Sequence, residues 1–215
     1  MKKITLAIAL ALSAAGAAHA ATIQGLVNTG VGAAGGQDSH YAVSVLEGAT
    51  VLTGQHGFIT QDNTWPVNPW LANSATSKWI TPTANQGESF DAASQGLYKF
   101  ELQFDLTGYN AASASFLGHF AADNAATVFL NGSQIAAGTG FSSWSNFGAN
   151  SGFNNGVNLL DFYVTNWQQN GGNPLGLRVE FTDATVAAVP EPSSYAMLLA
   201  GLGLVGWMAR RRRSA

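Results

Sequence analysis

The stretch LYKFELQFDLTG, residues 97–108, decides the fold. Tyr98, Phe100, Leu102, Phe104 and Leu106 alternate with Lys99, Glu101, Gln103 and Asp105. A strand places the first set on one buried face and the second on one wet face, whereas a helix would scatter the aromatic rings around its circumference. Working outward, ATVFLNGSQIAAG (126–138) sets Asn131-Gly132 between two apolar runs, and that dipeptide suits the positive φ angles of a type I′ hairpin turn. VNLLDFYVTNW (157–167) and GLRVEFTDATV (176–186) read as further strands, with YAVSVL (41–46) and TIQGLV (22–27) as weaker ones. Between them, QDNTWPVNPWLANSATS (61–77) and GTGFSSWSNFGANSGFNNG (138–156) read as loops rich in Gly, Asn, Ser and Pro. No sustained 3.6-residue apolar period lies outside the two termini. The expectation is an all-β antiparallel sandwich of jelly-roll type, flanked by two targeting segments.

The first segment opens with Lys2 and Lys3, continues through the apolar run 4–18 and ends in Ala18-His19-Ala20. That order of charge, apolar core and small residues is the pattern of a secretory signal peptide, with signal peptidase expected to cut before Ala21. The signal peptide is therefore expected over 1–20 and the sandwich over 21–188. An exported chain is free to form disulfides, yet this one has no cysteine, so packing alone must stabilise the body. The body holds Lys78, Lys99 and Arg178 against 11 acidic residues, a formal charge of about −8. Nucleic acid and anionic lipid need clustered Lys and Arg, so neither is expected as a partner of the body.

The second segment, 189–215, begins Val189-Pro190-Glu191-Pro192 and ends in Arg210, Arg211, Arg212 and Arg213. Its apolar run 193–209 has 17 residues, which as a helix rises about 25 Å against a hydrocarbon core of roughly 30 Å. The reading is a transmembrane helix with the arginines in the cytoplasm and the body outside. Pro190 and Pro192 hold Glu191 in extended backbone ahead of the helix.

These three parts, in this order, resemble the PEP-CTERM sorting signal of Gram-negative bacteria. The resemblance implies recognition by exosortase after passage through the export machinery, transient anchoring in the inner membrane, and delivery to the cell surface or the exopolysaccharide matrix. The body, from Trp79-Ile80-Thr81-Pro82 through 96–106, 120–132, 156–166 and 176–181, resembles galactose-binding-like jelly rolls. That second resemblance implies a binding module, commonly for glycans and sometimes with a structural calcium ion.

Catalytic signals are sparse. His40, His56 and His119 are scattered, no H-x-x-H or G-x-S-x-G spacing occurs, and no catalytic or metal-binding set is assigned. Glu88, Asp91, Glu101, Asp105, Asp123, Asp161 and Glu180 are the acids from which a glycosidase pair would have to come, but spacing in sequence does not set their separation in space. Asp123 beside Asn124 can serve as a calcium ligand or as a turn carboxylate bonded to backbone. Asp105 and Asp161 read as members of a solvated sheet face.

A sugar site needs a flat apolar platform with a few placed polar groups. Trp65 and Trp70 flank Pro66 and Pro69 in one Asn-rich loop, and Trp144 sits in the other loop. These three are the candidate ligand-binding residues, with plugging of the sandwich end as the competing role. Trp79 and Trp167, at strand edges, are expected in the core. The expected function is a non-catalytic, carbohydrate-binding surface or matrix protein. The alternative is a structural or adhesive matrix protein that binds proteins or itself.

Overall fold

The computed structural model describes residues 20–48, 52, 56–189 and 192–212. Eleven strands run β1 (Ala20–Thr22), β2 (Gln37–Glu47), β3 (His56–Ile59), β4 (Ile80–Thr81), β5 (Gly96–Asp105), β6 (Tyr109–Asp123), β7 (Ala125–Leu130), β8 (Ser133–Thr139), β9 (Ser145–Ala149), β10 (Val157–Asn166) and β11 (Gly176–Ala188). Every strand pairing is antiparallel, in the order β8-β7-β10-β5-β2-β3-β4-β11-β6-β9, with β1 on β11. The short strands β3 and β4 carry the sheet around from one layer, β8-β7-β10-β5-β2, to the other, β11-β6-β9. The result is a jelly-roll-like sandwich closed on one side.

The alternation in 97–108 survives intact. Tyr98, Phe100, Leu102 and Phe104 of β5 are buried, as are Leu160, Phe162 and Val164 of the neighbouring β10. Phe162 meets Phe120 of β6 at 6.1 Å and Phe147 of β9 at 5.5 Å between ring centroids, so aromatic edge contacts join the two layers. At the β7–β8 turn, Asn131 and Gly132 adopt φ of 50° and 80°, the geometry the Asn-Gly pair favours.

Three strand expectations change. TIQGLV contributes only Thr22 to β1, and the chain then turns at Gly25 into irregular backbone. Residues 145–149, expected inside a loop, form β9 because Gly118 and Gly148 let it lie close against β6. The longest strand, β6, has no clear signal in sequence. Its Ala, Ser and Gly residues blur the alternation, and its pairing with β11 shifts register at Phe181/Asp183 and again at Thr185/Ala187.

The C-terminal helix forms as α1 (Pro192–Arg211), with Arg210 and Arg211 in its last turn where cations favour the helix dipole. The transmembrane reading of it is corrected, because among the described residues no helix is long and apolar enough to cross a membrane. The run holds only 17 residues between Pro192 and Arg210, and Gly201, Gly203 and Gly206 contribute little apolar surface to it. Leu199, Leu204, Trp207 and Met208 are nevertheless exposed along α1, and Arg211 lies 5.6 Å over the Trp207 ring. Ala18, Pro190, Glu191 and Arg213, all part of the expected targeting signals, lie outside the described residues. Ala20 and Ala21, at the expected cleavage point, pair with Ala187 and Val186.

Candidate functional site: a cleft at one end of the sandwich

Four connections converge at one end of the sandwich: residues 60–79 between β3 and β4, the β6–β7 junction at Asp123 and Asn124, the β8–β9 loop at Phe141, and residues 167–175 between β10 and β11. They enclose a cleft of about 140 Å³ bordered by Trp65, Pro66, Trp70, Asp123, Asn124 and Gln169. Drug-sized pockets start at roughly 300 Å³, so this one suits a single small ring.

The two tryptophans of the 61–77 loop occupy it differently. Trp70 is 3% exposed and packs on Trp79 with ring centroids 4.4 Å apart. Gly176 lies so close beneath that a Cβ there would sit 2.5 Å from the Trp70 ring, which explains why the first residue of β11 has no side chain. Trp65 is 45% exposed. Its carbonyl accepts a hydrogen bond from Gln86 Nε2 at 3.1 Å, and its ring rests against the backbone at Gly87. Local backbone hydrogen bonds from the Val67 amide to Thr64 O and from the Trp70 amide to Pro66 O hold the loop between them. The peptide bonds Trp65–Pro66, Asn68–Pro69 and Asp123–Asn124 are cis.

Polar groups complete the cleft. The Trp70 indole Nε1 donates to Asp123 Oδ2 at 2.9 Å. Burial pushes the Asp123 carboxyl up to about 6, and the Trp70 donor pulls partly the other way. Asn124 Oδ1 accepts from the Trp167 amide at 2.7 Å, fixing that side chain. Gln169 Nε2 donates to the carbonyls of Gly171 and Gly172, and the buried Asn173 donates to those of Phe90 and Trp167. Asn124, Gln169 and Asn173 carry no pattern in sequence that separates them from ordinary loop residues. Only the convergence of two distant connections brings them to Trp65.

Trp144 does not line the cleft. It is half-buried on the outer face of β6 and β11, 4.1 Å from the His119 ring and 4.8 Å below the guanidinium of Arg178. Arg178 is itself buried and donates to Ala72 O, Ser74 Oγ and Ser77 Oγ, so Trp144 and Arg178 together tie residues 72–77 to β11. Trp79 is fully buried as expected, but Trp167 is 51% exposed, because the chain leaves the sandwich at the end of β10. Asp161 is buried rather than solvated, since flanking side chains on β5 and β7 cover it. Among the described residues no three His, Asp or Glu side chains are placed to hold a metal ion.

Comparison with known proteins bears first on the tail. Residues 188–213 match the PEP-CTERM protein-sorting motif. The chain carries a PEP-CTERM sorting signal. No curated protein matches the chain. Solved structures similar to it include TmCBM61 in complex with β-1,4-galactotriose, at 13% identity and a TM-score of 0.40, covering 72% of this chain and 92% of that one. A family 11 carbohydrate-binding module from Clostridium thermocellum, in complex with a β-1,3-1,4-mixed-linked tetrasaccharide, shows 10% identity and a TM-score of 0.38 over 82% and 99% of the two chains. A β-glucuronidase from glycoside hydrolase family 2 shows 13% identity and a TM-score of 0.40, over 78% of this chain and 18% of that one.

Proposed function

We propose that this is an exported, PEP-CTERM-sorted protein of the cell surface or exopolysaccharide matrix, whose sandwich is a non-catalytic carbohydrate-binding module. Residues 1–20 are its signal peptide, 21–188 the mature binding body, and 189–215 the segment that exosortase acts on. Before processing, the exposed apolar side chains of α1 hold the protein at the inner membrane.

The observation that carries the binding reading is the cleft, where an exposed, oriented indole faces fixed polar groups. A pyranose ring laid on Trp65 buries its C–H face, while Asn124 and Gln169 supply partners for its hydroxyls. The Asp123 carboxylate is already tied to the Trp70 indole and has no second acid among the cleft-lining residues, which supports a binding role over glycosidic chemistry.

Two measurements test the proposal. On a glycan array, the full chain binds saturably and Trp65→Ala loses that binding while its melting temperature stays within about 2 °C of the parent. Absence of binding by the parent, with and without calcium, overturns the carbohydrate reading. In the producing cell, neutral replacement of Arg210 to Arg213 blocks surface delivery without unfolding the body. Unchanged delivery overturns the sorting reading.

A further inference from the structure

The strands place the cleft at one end of the sandwich and both targeting segments at the other. β11 starts at Gly176, beneath the Trp70 ring of the cleft, and finishes at Ala188, whose partner on β6 is Tyr109. Its 13 residues span roughly 40 Å at about 3.3 Å each. At the far end the Val189 amide donates to Gly108 O at 3.1 Å, the Leu106 amide to Gly156 O at 3.0 Å and Asn131 Nδ2 to Gly152 O at 2.8 Å. The β5–β6 turn, the β7–β8 turn and the 150–156 loop thus gather where the chain leaves for α1. The N-terminal apolar run joins the body at the same place, because Ala20 pairs with Ala187.

Only Pro190 and Glu191 lie between Val189 and the first residue of α1, a reach of no more than about 11 Å. A body tied so closely to a helix held at lipid presents its tied end to the headgroups. That end suits them. The stretches 106–110, 131–132 and 150–156 contain no Lys, Arg, Asp or Glu, and Val157 and Val189 expose apolar side chains there. Asp105, the acid beside them, is engaged with the amide and hydroxyl of Thr107 at 2.8 and 2.7 Å. The cleft end is different. Asp123 closes β6, Asp91 accepts from Asn166 at the end of β10, Glu88 lies two residues from Phe90, whose amide donates to Asn173 O, and Glu47 stands opposite Leu97 near the start of β5. Anionic headgroups repel that acidic end and tolerate the neutral one.

We propose that the tail-bearing protein acts as a membrane-tethered glycan receptor: the neutral end of the sandwich faces the lipid headgroups, and the cleft opens away from them, about 30 to 40 Å out along the strands. This role rests on the cleft as a sugar site and on α1 as the membrane attachment. With both apolar segments leaving from the opposite end, neither obstructs the cleft. A polysaccharide arriving from outside meets Trp65, 45% exposed, before it meets the lipid. Polymer is then caught at the membrane surface while α1 still holds the module, and loss of that attachment releases module and glycan together.

The chain has no cysteine, so a fluorescent probe attaches only where one is introduced. Asn155→Cys marks the neutral end and Asn170→Cys the cleft end, both at exposed positions, and β10 between them spans about 30 Å. The full chain is placed on vesicles of phosphatidylethanolamine and phosphatidylglycerol that carry a headgroup-linked acceptor dye. Energy transfer from the probe at residue 155 is at least about fivefold stronger than from the probe at residue 170, given their separation along the strand. Ser151→Cys and Gln168→Cys repeat the comparison if either first variant fails to fold. Equal transfer, or stronger transfer from the cleft end, overturns the orientation whether or not the cleft binds sugar, and a chain that fails to associate with the vesicles overturns the attachment. Unlabelled vesicles bearing the parent chain co-sediment with exopolysaccharide purified from the producing cell, and vesicles bearing Trp65→Ala do not. If the parent in detergent binds that polysaccharide and the vesicle-bound parent does not, the tethered role is overturned while the sugar site stands. If neither binds, the sugar site falls and the tethered role with it.

Discussion

Replacing Asp123 by Asn converts a buried acid at the floor of the cleft into a neutral isostere, and the effect depends on pH in a calculable way. Burial raises the Asp123 carboxyl from 3.8 to about 6. The folded state therefore holds this proton more tightly than the unfolded chain does. Below about pH 3.8 the protonated form contributes its full stabilisation, and that contribution is lost as the pH rises through about 6. A shift of about two units at 1.36 kcal/mol each gives about 3 kcal/mol of stability lost by the parent across this window. The amide of the Asp123→Asn variant has no proton to lose. Its oxygen still accepts from the Trp70 indole, and whatever its Nδ2 costs is the same at every pH. The stability difference between variant and parent should thus move by about 3 kcal/mol in favour of Asp123→Asn from pH 3 to pH 7. For a body of this size that is roughly 6 to 12 °C in melting temperature. Urea melts of the two full chains at four pH values, followed by tryptophan fluorescence, measure it directly. A difference that stays constant to within about 0.5 kcal/mol would show that Asp123 is hydrated, and would refute the enclosed floor of the cleft.

Other outcomes follow from the packing. Phe104→Ala empties a buried position of the most regular strand and should cost about 3 to 5 kcal/mol in denaturant melts, with a loss below about 1 kcal/mol contradicting its inward placement. Trp70→Ala should destabilise by a similar amount, because it strips the Trp79 stack and leaves Asp123 without its donor, so its binding loss should accompany unfolding, unlike that of Trp65→Ala. N-terminal sequencing of the exported protein should begin at Ala21, and a start at Met1 would contradict cleavage.

The sequence by itself determined the elements whose signal is local. Alternation from Tyr98 to Leu106 fixed β5, the Asn131-Gly132 pair fixed the β7–β8 hairpin, and the ordered run from Val189 through the arginine cluster identified the sorting motif, which is read as a linear string. Each of these depends on neighbours within a few residues. β6 and β9 were not legible, because small residues and two register shifts hide a period that only pairing restores. The site was legible in part. Composition and loop setting pointed to Trp65, Trp70 and Trp144, but not to their separate fates, since exposure depends on what distant chain arrives above each ring. Tertiary structure alone decided that Trp70 is roofed by β11 and Trp79, that Trp144 is pinned under Arg178, and that Trp65 stays open beside Asn124 and Gln169. The same holds for Asp161, whose alternation reads as a wet position in sequence. Its burial comes from Phe129 and Glu101 on two other strands, and cross-strand neighbours leave no trace in the order of residues along one chain.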